Sequence, residues 1–287
     1  MILYKFFSLP EKYNQDKDHY NIKNLRDNIL TCNHPILFND PFEGILFAKG
    51  ISEQESLEIE EYKRKVEKQI PSNKKSLFWT KNSIVTNKNI VCCFVRDFKD
   101  NPFVDLMWAH YANSHFGYCM KFEFSEKPED NFVKDEETGG IQIYKLSDEG
   151  ERFPSGHEEL HFPSGRSEFK RVQYKDKPQI FQFDNGVTHD SMEDFLQIKS
   201  KVWEYEKEVR LILHLEDCLG FDLNKFYGVK YDVQCIKGIY WGMNTLAEYK
   251  KEMIEILESQ NCLAPRYSSY ISGNSFRIQY KLEEIIK

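Results

Sequence analysis

The run Lys199-Ser-Lys-Val-Trp-Glu-Tyr-Glu-Lys-Glu-Val-Arg210 passes without a break into Leu211-Ile-Leu-His-Leu215. A chain carrying this segment must bury an apolar strand. It must also dispose of Glu204, Glu206 and Glu208, which alternate with Tyr205 and Lys207 just ahead of it. With a strand starting near Tyr205, the two-residue period sets Glu206, Glu208 and Arg210 on one face. Two carboxylates and a guanidinium are costly to bury unless they pair. The same trio suits a site that grips sugar hydroxyls or stabilises a cationic transition state. A solvated strand whose charges offset one another is the alternative.

The remaining pattern mixes strands and helices. Strands are expected at Ile2 to Ser8, His34 to Phe38, Asn89 to Val95, Gly117 to Phe124, Arg171 to Tyr174, Phe226 to Tyr231, Cys235 to Trp241 and Ser275 to Leu282. Helices are expected at Asn21 to Cys32, Ser52 to Ile70, Asn101 to Asn113, Ser191 to Lys201 and Leu246 to Gln260. The second helix opens on the capping signature Ser52-Glu-Gln-Glu55 and is charged enough for a surface element or a lid. Regular strand–helix alternation is missing, which points to an α+β fold with mixed, mostly antiparallel sheets. The 287 residues are expected to form a single domain, 1–287, with a polar insertion near 125–170. That insertion echoes itself in Phe153-Pro-Ser-Gly156 and Phe162-Pro-Ser-Gly165, with His157 and His161 between.

Net charge of −7 and the lack of a basic block argue against bulk electrostatic binding of long nucleic acid and leave a local basic patch open. No Cys-x-x-Cys pair occurs among the 7 cysteines, so reduced, buried thiols in a cytoplasmic protein are expected. No run is long and apolar enough for a membrane span, so no membrane partner is expected. Phosphate loops of the Gly-x-Gly-x-x-Gly or Gly-x-x-x-x-Gly-Lys type are absent.

Several clusters carry candidate chemistry. Asn39-Asp40-Pro41-Phe42-Glu43 either sets an acid at a pocket mouth or is a turn whose Asp40 bonds its own backbone. Trp108 and Tyr111 share a helix face, with His110 between, and form either an aromatic wall for a ligand ring or part of the core. Trp203 is expected to anchor the junction into the acidic strand. Histidine-based metal sites (His110 with His115, or His157 with His161) and a Cys92 or Cys93 nucleophile with His110 match no strong spacing rule.

Tyr4-Lys5-Phe6, Phe38 to Glu43, Cys93-Phe94, Met107 to Ala112, Gly117 to Phe122, Trp203 to Arg210 and Ile239 to Gly242 occur in that order. Together they resemble the bacterial domain-of-unknown-function 2971 family, over nearly the whole chain. The plan is also similar to the ADP-ribosyltransferase superfamily. That resemblance implies an ADP-ribosyltransferase-like fold and an enzyme that takes NAD as substrate. It makes Glu208 the catalytic acid, with Glu206 preceding it. Tyr4, Lys5, Asn39, Asp40, Trp108, His110, Tyr111 and Arg210 would hold the dinucleotide, with Tyr4-Lys5 standing where the superfamily has a first-strand Arg or His. The implied partner is a small-molecule nucleotide, with a protein or nucleic acid as the group to be modified, and a toxin or phage-defence effector as the setting. Two other classes stay open: a non-enzymatic ligand- or protein-binding module, and a metal-dependent hydrolase or nuclease using Asp40, Glu43, Glu206, Glu208 and a histidine.

Overall fold

The strand Asn89–Val95 is Val-, Ile-, Cys- and Phe-rich, and all of its residues but Cys93 are buried. It therefore needs cover on both faces and lies inside an eight-stranded sheet. In spatial order the strands are Ile278–Leu282, Arg266–Ile271, Ile236–Trp241, Tyr118–Glu123, Ile2–Phe7, Asn89–Val95, Glu208–Leu215 and Ser164–Arg171. In this computed structural model, neighbours are antiparallel except for Ile236–Trp241 against Arg266–Ile271. The structure describes residues 1–15, 19–49, 51–79, 83–84, 89–99, 101–134, 136, 139–146, 164–182, 194–215, 226–274 and 277–283. His157, His161, Cys218 and most of the Phe-Pro-Ser-Gly echo lie outside the described residues.

Side-chain alternation divides the interior into two layers. Leu3 and Phe7 of the first strand join Cys92, Phe94, Phe122 and Leu211 on one face, covered by the helices Tyr20–Arg26 and Ala247–Ser259. Tyr4 and Phe6 point the other way and pack with Phe98, Met107, Trp108 and Tyr240. The helix Val104–Tyr111 closes this second layer. Gly117 and Gly242 let it approach closely, since a Cβ on Gly242 would lie 2.1 Å from the His115 carbonyl oxygen. Among the described residues, no helix is long and apolar enough to cross a membrane.

One pairing in the sheet is incomplete. The first strand pairs with Tyr118–Glu123 along its whole length, from Ile2 opposite Glu123 to Phe7 opposite Tyr118. Against Asn89–Val95 it has a single register pair, Tyr4 with Val95. Farther along, Val91 bridges instead to Asn33, at the end of the short strand Ile29–Cys32. The two central strands thus part company, and the Lys5 ammonium donates to the Cys93 carbonyl at 3.1 Å.

Besides strands with no expected counterpart, such as Leu46–Lys49, Ile143–Leu146 and Arg266–Ile271, four departures from expectation have a local reason. The helix expected at Asn21 to Cys32 ends at Arg26, and its apolar tail pairs as the strand Ile29–Cys32 with Phe226–Lys230. His34 to Phe38 is a 3-10 turn at Pro35–Leu37, since Pro35 suits a helical first position and His34 caps it. Of the helix expected at Ser191 to Lys201, the described part is a 3-10 turn Asp194–Gln197 followed by the strand Ile198–Ser200. Ser164–Arg171, read as part of a polar insertion, is an edge strand, where one solvated face makes a polar sequence acceptable.

Candidate functional site: a charged cleft at the split in the sheet

A cleft of ≈ 260 Å³ opens where the central strands part. The first strand supplies Tyr4 and Lys5, and the turn after Pro35–Leu37 supplies Asn39 and Glu43. The helix Val104–Tyr111 supplies Met107 and Tyr111, and the acidic segment supplies Glu206 and Glu208. Four segments far apart in sequence therefore meet on one concave surface.

The acidic segment reaches the cleft by a route the two-residue period does not describe. The strand begins at Glu208, and Glu206 ends a 3-10 helix, Lys201–Glu206. Lys207 between them is left-handed, with φ 49°, and this single residue turns both carboxylates toward the same site. Glu208 and Arg210 share a strand face as expected.

Five buried charges meet there: Glu43, Glu206, Glu208, Lys199 and Arg210. Lys199 Nζ lies 2.6 Å from Glu206 Oε2, 3.0 Å from Glu208 Oε2 and 3.7 Å from Glu43 Oε2. Arg210 Nε donates to Glu208 Oε1 at 2.8 Å, and Nη1 to the Leu196 carbonyl. Its Nη2 pairs with Glu43 Oε1 and reaches Glu208 Oε2 at 3.2 Å. The Tyr111 hydroxyl donates to Glu206 Oε1 at 2.5 Å, and the Glu208 N–H donates to the Tyr174 hydroxyl oxygen at 2.8 Å.

These partners drive the two neighbouring acids apart. Burial works against charge on Glu208, but Arg210 and Lys199 outweigh it and hold the carboxyl well below the usual range. Burial raises Glu206 above its ordinary value, and Lys199 only partly offsets that while the Glu208 charge adds to it. Glu43 is also raised by burial, against the pull of Arg210 and Lys199. Burial opposes the Lys199 charge, yet Glu208, Glu43 and Glu206 keep it firmly protonated. Behind the cluster, Lys74 donates to the Glu43 and Pro35 carbonyls at 2.7 and 3.3 Å, and burial lowers its pKa to about 8.

Of the residues expected to form the site, Tyr4, Lys5, Asn39, Tyr111, Glu206 and Glu208 line the cleft. Four others do something else. Trp108 is fully buried, set edge-on to Phe6 with its indole N–H donating to Tyr280 at 2.9 Å, so it is core and not a wall of the cleft. His110 is exposed on the outer side of the same helix, near Tyr205. Asp40 takes the turn role, accepting from Phe42 N–H at 3.0 Å and Ser200 N–H at 3.3 Å. Arg210 is buried among the acids, with its donors on Glu43, Glu208 and Leu196, and it does not line the cleft. Trp203 is half-buried, with the Lys199 ammonium 5.2 Å from its ring centre.

Lys199 and Tyr174 are not among the residues that the sequence motifs mark for the site. The signal for Lys199 was arithmetical, because three buried acids facing one arginine require a second cation. Among the described residues, no group of three or more His, Cys, Asp and Glu side chains is arranged to hold a metal ion. The focus of the three carboxylates is filled by the Lys199 ammonium.

A family model described as a protein of unknown function (DUF2971) matches residues 107–211. The matched stretch holds Tyr111, Lys199, Glu206, Glu208 and Arg210, and it is shorter than the near-complete resemblance read from the motifs. No curated protein and no solved structure matches the chain, so nothing in these comparisons extends to the ADP-ribosyltransferase resemblance.

Proposed function

We propose that the cleft takes the nicotinamide-ribose end of NAD and that the protein acts on its N-glycosidic bond, as an ADP-ribosyltransferase-like enzyme or an NAD glycohydrolase. The observation that supports this best is the opposed bias of two adjacent cleft carboxylates, with Glu208 held ionised and Glu206 raised. Cleavage of a glycosidic bond passes through an oxocarbenium-like state. A fixed anion stabilises that charge, and a second carboxyl able to exchange a proton activates the acceptor. Glu208 fits the first role and Glu206, held by Tyr111, fits the second.

Tyr4, Phe6 and Phe38 supply apolar surface for a ring, and Lys5 a cation for the pyrophosphate. A cleft of ≈ 260 Å³ is small beside typical ligand sites and suits one nucleoside-sized half of a dinucleotide. The acceptor would be water, a protein or a nucleic acid. In a bacterial cell, such consumption of NAD fits a toxin or phage-defence effector.

The test is nicotinamide release from NAD, with and without cell lysate. The wild type is expected to release it, and Glu208→Gln to do so about 10²-fold more slowly. The commitment of both Glu208 oxygens to Arg210 and Lys199 favours a second reading, a rigid polar cradle that binds without turnover. A rise in melting temperature with NAD and no release would select that module. Neither binding nor release would remove NAD. The metal-dependent hydrolase gains no support, because Lys199 holds the position a divalent cation would need.

A further inference from the structure

The split in the sheet also brings two thiols together on the core side. Asn33 and Val91 exchange both backbone hydrogen bonds, at 2.9 and 2.8 Å. The next residues along this antiparallel pairing, Cys32 and Cys92, therefore face each other at a non-hydrogen-bonded position. Facing Cα atoms there are about 4.5 Å apart, inside the range that a disulfide spans. Both cysteines are free and buried; the Cys32 thiol donates to the Leu30 carbonyl at 3.7 Å, and each thiol shifts the other's pKa.

Lys5 completes the arrangement. Its ammonium donates to the Cys93 carbonyl at 3.1 Å, and its charge acts on the Cys92 thiol. Burial alone raises a thiol pKa, but the hydrogen bond from Cys32 and the Lys5 charge outweigh it and bring Cys92 down to about 7. Cys93 points to the opposite face, where burial and the Glu208 charge push its thiol up. Adjacent cysteines on one strand are thereby biased in opposite directions. Cys32 and Cys92 are fully buried and do not line the cleft, but their chain neighbours Thr31, Asn33, Val91 and Cys93 do, so a small oxidant in the cleft sits one residue away from the pair.

We infer that Cys32 and Cys92 form an oxidisable dithiol, primed by Lys5 and closed to a disulfide by hydrogen peroxide. The Cys92 thiolate attacks one peroxide oxygen, the O–O bond breaks, and the departing hydroxide takes up a proton to give water. The Cys32 sulfur then displaces the hydroxyl of the resulting sulfenic acid, forming the S–S bond and a second water. Two thiols lose two electrons and one peroxide gains them.

The experiment treats the full chain with hydrogen peroxide, blocks remaining thiols under denaturing conditions, and maps peptides by mass spectrometry. The expected product is a Cys32–Cys92 link, two hydrogens lighter than the thiols and reversed by dithiothreitol. Cys93→Ser is expected to form it equally well. Lys5→Met is expected to slow it by about tenfold, the effect of one pKa unit on the thiolate fraction, while Lys5→Arg keeps the cation and the rate. Oxidation confined to other cysteines, or a link from Cys92 to Lys5, would overturn the dithiol. An undiminished rate in folded Lys5→Met would overturn the priming.

Discussion

Arg210 serves two carboxylates and a backbone carbonyl from a position without solvent, so its worth shows when it is removed rather than when it is counted. Arg210→Met leaves Glu43 and Glu208 facing each other across a buried gap and is expected to cost about 3–5 kcal/mol in a denaturant titration. A loss below about 1 kcal/mol would mean that Lys199 alone balances both acids. The two neighbouring glutamates should also differ in the sign of their pH dependence. The Glu208 carboxyl lies below its unfolded value of about 4.5, so its stabilisation is present above that pH and is lost as pH falls through the folded value. Glu206 is raised, so its protonation favours the native state as pH falls toward 4.5. Below pH 4.5 the wild type should therefore lose stability faster than Glu208→Gln, and parallel melting curves for the two would refute this. Legibility at this scale was partial. Glu206 and Glu208 stand out because they crowd into one run, whereas nothing local marks Lys199, whose place follows only from the burial of three acids around it.

Among the elements, the joint at Lys207 decides whether the two acids converge. A non-glycine residue pays about 1–2 kcal/mol for left-handed backbone, and a β-branched one is worse placed still. Lys207→Gly is expected to raise stability by up to about 1 kcal/mol, and Lys207→Val to lower it by about 1–2 kcal/mol. If both leave the denaturation midpoint unchanged, the joint is not under strain. Gly242→Ala tests the other end of the site's support, because the new methyl would collide with the His115 carbonyl. A cost of about 1–3 kcal/mol is expected, read as a fall in melting temperature. Strands with unbroken apolar runs, such as Asn89–Val95, were legible because nothing but a sheet interior accommodates them. The joint was not, since lysine carries no signal for positive φ. Nor was Ser164–Arg171, whose polar sequence is permitted only by its place at the sheet edge. Trp108 misled for a related reason: helical spacing puts it on a face but does not say whether that face meets ligand or core.

At the scale of the molecule, the cleft exists because two central strands separate and a short strand from elsewhere fills part of the gap. A ligand that binds only this assembled state must raise its stability, by about 2.7 kcal/mol at a hundred times its dissociation constant. NAD at saturating concentration should therefore raise the melting temperature, and Lys5→Gln should weaken that shift if the pyrophosphate lies beside Lys5. The α+β class and the convergence of four motifs were readable from their order, but the split was not, because register between distant strands is set by packing that no local pattern reports. The first strand, Ile2–Phe7, lies in the middle of the sheet, yet its partners are Tyr118–Glu123 and Asn89–Val95, and the acids arrive later still at Glu206 and Glu208. During synthesis this strand leaves the ribosome about two hundred residues ahead of Glu206 and Glu208 and waits for them. Until the acidic strand emerges there is no ion cluster and no cleft, so a chain halted before Glu206 has nothing to hold a ligand there.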